Sequence, residues 1–335
     1  MINIRLAKNS GFCFGVKRAI KLAEQTAKKY GRATTIGPII HNPQMVENLK
    51  IAGVIAVEDI DLIEDGPVII RSHGIPIETL SVLQKKKLEI IDATCPYVSK
   101  AHEFVKLADK EKYQIFILGN PDHPEIIALK SYIESKVFFV VDNFFHSDKE
   151  ESISETKERY ITTLDNLPNE KFSKRAVICQ TTQNVSNLRK LAELLMPISN
   201  ELRIFNTICN ATNVRQESSL ELARLCSLMI VIGGKNSSNT KMLARLCSEH
   251  APTKHIEVAE ELEEDWFKNL CVSDIETSAK CRKTNTFVGL TAGASTPDWI
   301  IIDVYNKIKE MVGDTANLVE SVEAIPGYKE EPNEY

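Results

Sequence analysis

The chain has 335 residues, more than one hydrophobic core usually serves, so two or three packed units of roughly 100 to 150 residues each are expected. Its net charge of -5, with no lysine or arginine block, argues against nucleic acid or an acidic membrane face as a partner. The opening MINIRLAKNS interrupts its apolar residues with Arg5 and Lys8, so it lacks the continuous apolar core of a signal peptide, and no apolar run approaches the roughly 20 residues of a membrane span. A cytoplasmic or similarly reducing setting is expected, where eight cysteines point to thiol and metal chemistry ahead of disulfides.

In chain order, the runs TTIGPII, GPVIIRS, LEIIDAT, YQIFILG, VFFVV, RAVICQ, LRIFNTI, SLMIVIGG and TFVGLTA are strand-like, each rich in β-branched or aromatic residues. Segments with apolar spacing near 3.6 lie between several of them, which is the pattern of an α/β protein with parallel sheets flanked by helices. Two polar stretches, 143–175 and 252–285, are read as loops or peripheral helices, and the acidic tail after Gly313 as loosely held. The string LARLCS at 222–227 and 243–248 is read as a coincidence between two helices.

Three cysteines share one local setting. Cys13 lies in NSGFCFGVKRAI, ahead of a helix whose inward face is Val16, Ala19, Ile20, Ala23 and Ala27. Cys95 lies in DATCPYVSK, where Pro96 suits the first helical position and makes Cys95 the N-cap, with Val98, Ala101, Val105 and Ala108 on one face. Cys209 lies in TICNATNVR, with Ala211, Val214, Ser218, Leu222 and Leu225 as the corresponding face. A helix N-terminus favours the thiolate, the form that ligates metal. Any one such cysteine also reads as a small buried hydrophobe; three in the same setting suggest a shared cluster. Their spacing matches neither a zinc ribbon nor a ferredoxin run, so it does not name the metal. Cys179 reads as a strand residue, Cys226 and Cys247 as helix residues, and Cys271 and Cys281 as loop residues, all without a role.

Three histidines also follow strands: His41 in IGPIIHNPQ, His73 in VIIRSHGIP and His123 in FILGNPDHPEI. Open α/β sheets bind ligands at the carboxyl ends of their strands. The loops IGGKNSSNT and LTAGASTPD offer backbone N–H groups and small hydroxyls suited to a phosphate, although Met229 occupies the place of the first glycine of a P-loop. Glu125, two residues after His123, becomes a proton donor if burial raises its pKa, and Thr181 in ICQTTQN adds a hydroxyl able to relay a proton or hold a substrate oxygen.

Through GFCFGV, HN, SHG, DATCP, HPE, QTT, TICNAT, KNSSN and TAGAS, in that order over residues 1 to about 310, the chain resembles the 4-hydroxy-3-methylbut-2-enyl diphosphate reductase family of the methylerythritol phosphate route to isoprenoids. The resemblance implies three similar α/β modules (1–95, 96–206 and 207–310, with a tail at 311–335) in a trefoil around a central iron–sulfur cavity. It implies a 4Fe-4S cluster on Cys13, Cys95 and Cys209, with the fourth iron open to the substrate's hydroxyl. It implies that His41, His73, His123, Ser237, Ser238, Asn239 and Ser295 hold the diphosphate, that Glu125 delivers protons with His123 nearby, and that Thr181 positions the hydroxyl end. The reaction implied is a reductive dehydration of the allylic diphosphate to isopentenyl and dimethylallyl diphosphate. With no nucleotide fingerprint in the chain, electrons are expected from a ferredoxin or flavodoxin. The segment IIALKSY after HPE lacks a glycine common in the family, and 143–160 and 270–285 are longer than usual, which concerns the outer loops and the electron-donor surface. Three other readings stand beside this one: a non-redox iron–sulfur hydro-lyase acting on a phosphorylated substrate, an iron–sulfur sensor, and a zinc protein with Cys and His ligands.

Overall fold

A computed structural model describes residues 2–135, 138–141, 161, 162, 164, 167, 172–268, 270, 286–313 and 316–318. In chain order the elements are β1 (Ile2–Leu6), α1 (Phe14–Tyr30), β2 (Ala33–Ile36), α2 (Pro43–Ile51), β3 (Val54–Val57), β4 (Val68–Ile70), α3 (Ile77–Lys85), β5 (Ile90–Asp92), α4 (Pro96–Lys110), β6 (Gln114–Leu118), α5 (Pro124–Ser131) and β7 (Phe138–Val141). There follow β8 (Ile161–Thr162), β9 (Phe172–Cys179), α6 (Val185–Leu195), β10 (Ser199–Phe205), α7 (Asn210–Ala223), β11 (Leu228–Ile232), α8 (Ser238–Ser248), β12 (Thr253–Ile256), α9 (Asp265–Lys268), β13 (Thr286–Ala292), α10 (Asp298–Val312) and β14 (Ala316–Leu318).

The strands form three sheets, ordered β3-β2-β4-β5, β10-β9-β6-β7-β8 and β12-β11-β13-β1-β14, and every pairing among the described residues is parallel. Parallel neighbours need crossover connections, and the helices between the strands supply them. The protein is α/β, as its alternating sequence pattern predicts. The chain divides into two compact units: 13–213 carries the first two sheets, and 1–12 with 214–335 carries the third.

Within the unit 13–213, β6 reads QIFIL and is buried along its whole length, since a parallel sheet is covered on both faces. Side-chain alternation then divides it. Ile115 and Ile117 pack with Ala101, Val105, Ile126 and Leu129 from α4 and α5, whereas Phe116 and Leu118 pack with Leu188, Leu191 and Leu195 of α6. The other unit repeats the device in β11, LMIVI. Leu228, Ile230 and Ile232 meet Ile300, Val304 and Ile308 of α10, while Met229 and Val231 meet Leu222, Leu243 and Cys247. Both copies of LARLCS thus send a leucine and the cysteine four residues on into one core, although the first copy runs out of α7 into a turn and the second lies inside α8.

Several expectations need correction. The stretch 252–285, read as loops or peripheral helices, contains strand β12, paired with β11, and the short helix α9; β8 and the start of β9 fall inside 143–175. The tail is not loose throughout, because β14 pairs with β1. Cys226 lies in the turn after α7 and not in a helix. The buried side of α7 is not Ala211, Val214, Ser218 and Leu225 but Thr212, Arg215, Gln216, Ser219 and Leu222. Hydrogen bonds make that polar face tolerable: Arg215 Nη2 donates to Gly11 O at 2.8 Å, and Ser219 Oγ lies 2.7 Å from Thr291 Oγ1. Cys271, Cys281, the longer stretch 143–160 and all of 270–285 except Leu270 fall outside the described residues.

Candidate active site

In the unit 13–213, His41 follows β2, His73 follows β4, Cys95 follows β5, His123 follows β6, Thr181 follows β9 and Cys209 follows β10. All stand at the carboxyl ends of parallel strands, the edge where such sheets take ligands. Backbone bonds hold the connecting loops side by side. Ser72, next to His73, donates from Oγ (3.0 Å) and N–H (3.4 Å) to Ile39 O, and accepts at its own carbonyl from Cys95 N–H (2.9 Å). In the neighbouring sheet, Thr181 O accepts from Cys209 N–H at 3.0 Å.

Cys13 and Cys95 are the N-cap residues of α1 and α4, and among the described residues neither side chain makes a capping bond of ordinary geometry. The inward faces of both helices are the expected ones, Val16 to Ala27 and Val98 to Ala108. Arg18 of α1 reaches the loop before α4, donating from Nη1 to Thr94 O (3.0 Å) and from Nη2 to Asp92 O (3.2 Å). Gly15 lies against the second thiol: a Cβ there would stand 2.6 Å from Cys95 Sγ and 4.0 Å from Cys13 Sγ. Only hydrogen at that position leaves the two sulfurs room. Cys209 Sγ lies 3.1 Å from Thr212 Oγ1.

Cys95 and Cys209 depart from expectation in their titration. Burial raises the Cys95 pKa to about 11, the N–H groups of Tyr97 and Val98 pull the other way, and nearby Cys13 and Cys209 add to the rise. Burial likewise raises Cys209 against the hydrogen bonds of Thr212, with Cys13 and Glu125 adding to it. Helix N-termini were expected to favour thiolate; desolvation outweighs them here. Cys95 feels the charge of both Cys13 and Cys209, and Cys209 feels that of Cys13, which agrees with three sulfurs in one neighbourhood. Three free, half-buried thiols, two of them close about Gly15, fit a soft metal–sulfur group, which thiolates ligate.

The imidazoles form a second cluster. Ring centroids are 4.3 Å apart for His41 and His73, 5.2 Å for His41 and His123, and 5.4 Å for His73 and His123. One nitrogen from each falls within 4.8 Å of the others. Among the described residues, His41 Nε2 and His73 Nδ1 are buried without a partner. His123 is the N-cap of α5, its Nδ1 accepting from Glu125 N–H at 3.2 Å, which leaves the proton on Nε2. Burial first, and then neighbouring positive charge, lowers His41 to about 4 and His123 to about 3, and His73 well below its usual value.

Glu125 joins the two clusters chemically. It is 2% exposed, and burial raises its pKa to about 7. Thr181 opposes that rise by donating from N–H to Oε1 (2.7 Å) and from Oγ1 to Oε2 (2.8 Å). A carboxyl poised near neutral pH beside a hydroxyl is suited to general acid chemistry.

The remaining predicted residues lie in the other unit. Ser237 caps α8, its Oγ accepting from Thr240 N–H at 3.3 Å, with Ser238 opening the helix. Asn239 is 3% exposed, and among the described residues both its amide atoms lack partners. The loop that carries Ser295 adjoins this one, since Gly293 N–H and Thr296 Oγ1 both bond Ile232 O, at 2.9 and 3.0 Å. Arg18 and Gly15 are not singled out by the sequence reading; the second glycine of GFCFGV is a signal for Gly15, and nothing local marks Arg18.

The parallel sheets and this set of groups define an α/β enzyme. A family profile described as LytB protein matches residues 4–309. The 4-hydroxy-3-methylbut-2-enyl diphosphate reductase of Geotalea uraniireducens is 41% identical over 314 residues, 93% of this chain and 99% of its own. The protein of that name from Geobacter sulfurreducens is 43% identical over 310 residues, 92% and 98% of the two chains. A solved structure described as "(E)-4-Hydroxy-3-methyl-but-2-enyl Diphosphate Reductase, the Terminal Enzyme of the Non-Mevalonate Pathway" is 40% identical with a TM-score of 0.59, covering 92% of this chain and 100% of that one. The E-1-hydroxy-2-methyl-but-2-enyl-4-diphosphate reductase from Plasmodium falciparum is 26% identical with a TM-score of 0.74, covering 97% and 94%. The chain belongs to the LytB family, and it is an oxidoreductase. No helix among the described residues is long and apolar enough to cross a membrane.

Proposed function

We propose that this enzyme reduces (E)-4-hydroxy-3-methylbut-2-enyl diphosphate to isopentenyl and dimethylallyl diphosphate, consuming two electrons and two protons and releasing water. The reading rests on one observation above all: within a single unit, three free thiols share a neighbourhood, one of them, Cys209, lies in the field of the buried Glu125 carboxyl, and the Glu125 N–H bonds one of three clustered, neutral imidazoles. Cys13, Cys95 and Cys209 would hold a 4Fe-4S cluster. When bound, such a cluster supplies electrons and a Lewis-acidic iron.

The chain's own groups do the rest. His41, His73 and His123, with Ser237, Ser238, Asn239 and Ser295, hold the diphosphate, whose binding energy orients a small allyl fragment. The unpartnered nitrogens of His41, His73 and Asn239 support that role, because buried polar atoms without partners are costly unless a ligand satisfies them. Glu125 holds a proton near neutral pH and gives it up beside the substrate's hydroxyl end, which Thr181 orients. We read 1–95, 96–206 and 207–310 as three modules, with β1 lent to the third sheet, a ferredoxin or flavodoxin as the electron donor, and the cytoplasm as the location.

The test is anaerobic turnover of the allylic diphosphate with a chemical reductant, with products identified. Formation of both isomeric diphosphates only when reductant is present supports the reading. Dehydration without reductant would instead identify a non-redox hydro-lyase.

A further inference from the structure

Arg71 stands two residues before His73, at the end of β4. Its side chain enters a narrow place between two turns. Nε donates to Gly74 O at 3.4 Å, and Nη1 lies 2.5 Å from where a Cβ on Gly37 would stand. Gly37 also has a φ of +67°, so both its backbone and the space it leaves call for glycine, and that space admits the guanidinium. Among the described residues the Nη atoms make no hydrogen bond and the group forms no ion pair. The nearest acid, exposed Glu58, has Oε2 4.0 Å from the same point on Gly37 and acts on Arg71 only at longer range.

The guanidinium is half-buried, and its Nη donors stay open to solvent or to a ligand. It stays charged, since a guanidinium does not lose its proton in proteins. Its field reaches His41, His73 and His123 alike. Those imidazoles are neutral near pH 7, so they offer hydrogen bonds to an anion but little charge. Arginine presents paired donors that match phosphate oxygens.

We propose that Arg71 is the permanent cation of the diphosphate site, its free Nη donors taking a phosphate oxygen beside the three histidines. The inference rests on the diphosphate reading given above and adds to it a binding residue that supplies charge.

Arg71→Gln and Arg71→Lys in the full-length, anaerobically purified enzyme test it, with inorganic pyrophosphate as the calorimetric probe and steady-state kinetics on the allylic diphosphate. Arg71→Gln is expected to weaken pyrophosphate binding about tenfold or more, equivalent to about 1.4 kcal/mol. KM should rise more than kcat falls, and iron content and melting temperature should hold. Arg71→Lys should recover part of the loss, which a merely structural role would not produce. Pyrophosphate affinity within about twofold of wild type in both variants would overturn the proposal, as would a fall in kcat with KM unchanged. Where Arg71→Gln yields no folded protein, Arg71→Lys decides: a loss of threefold or more supports the proposal and wild-type affinity ends it. Absence of saturable pyrophosphate binding in the wild type would strike the diphosphate reading itself, and this inference with it.

Discussion

Thr181 holds Glu125 by both carboxyl oxygens, N–H to Oε1 at 2.7 Å and Oγ1 to Oε2 at 2.8 Å. These bonds favour the charged form and burial opposes them, leaving the pKa at about 7. A raised pKa means that the carboxyl keeps its proton below that pH and loses it above. If Glu125 is the donor, kcat/KM falls as pH climbs through about 7. Glu125→Gln should lower turnover by about 10²-fold or more while keeping the iron–sulfur absorbance, and should abolish that limb. Thr181→Val removes one bond to the carboxylate and should move the limb to higher pH. Wild-type turnover in Glu125→Gln would take Glu125 out of the proton path.

The histidine cluster should be uncharged in the free protein. His41 and His123, lowered to about 4 and about 3, are expected to show neutral-ring nitrogen shifts by NMR throughout the range from pH 5.5 to 8. Midpoints near the ordinary value of about 6.5 would mean that water reaches these rings and that burial does not set their state.

Cys209→Ser should give a folded, colourless, inactive protein, because hydroxyl is a poor ligand for a soft metal. Iron and acid-labile sulfide per chain, measured after anaerobic purification, should fall to a small fraction of wild type. Full retention of both, with activity, would show that Cys209 holds nothing.

Gly15→Ala places a methyl 2.6 Å from Cys95 Sγ, a contact that real side chains do not make. Overpacking of this kind costs about 1–3 kcal/mol. The larger effect should be on cluster assembly, with iron incorporation reduced more than the melting temperature. Normal incorporation would show that the first turn of α1 can shift without disturbing the thiols.

How much of this was legible in sequence depended on how local each signal was. Runs such as QIFIL and LMIVI announce buried parallel strands on their own, and Pro96 announces the start of α4 and the cap at Cys95. The strand INIRL carries Arg5, which lies 3.8 Å from the Phe287 ring, and pairs with a segment some 280 residues away. Nothing local reports a pairing so distant. The edge strand TKHI is short and carries Lys and His, so it passed for loop. Helix α7 misled in another way, because its buried side is held by hydrogen bonds instead of apolar spacing.

The site residues were readable because each follows a strand and precedes a helix. Their titration was not. Position at a helix N-terminus pointed to a low thiol pKa, whereas burial, which depends on the folded surroundings, reversed the sign for Cys95 and Cys209. Arg71 was overlooked for the same reason: RSHG drew notice to its histidine, and only the packing against Gly37 reveals where the guanidinium goes.

The central claim is that iron–sulfur chemistry is held on thiolates while the imidazoles serve the anion. Crystals of the anaerobic enzyme grown with the allylic diphosphate, with anomalous scattering measured at the iron edge, test it most directly. Iron density bounded by the sulfurs of Cys13, Cys95 and Cys209, with phosphate oxygens against His41, His73 and His123, is the predicted result. A metal ion seated among the three imidazoles, with the thiols bare, would contradict it.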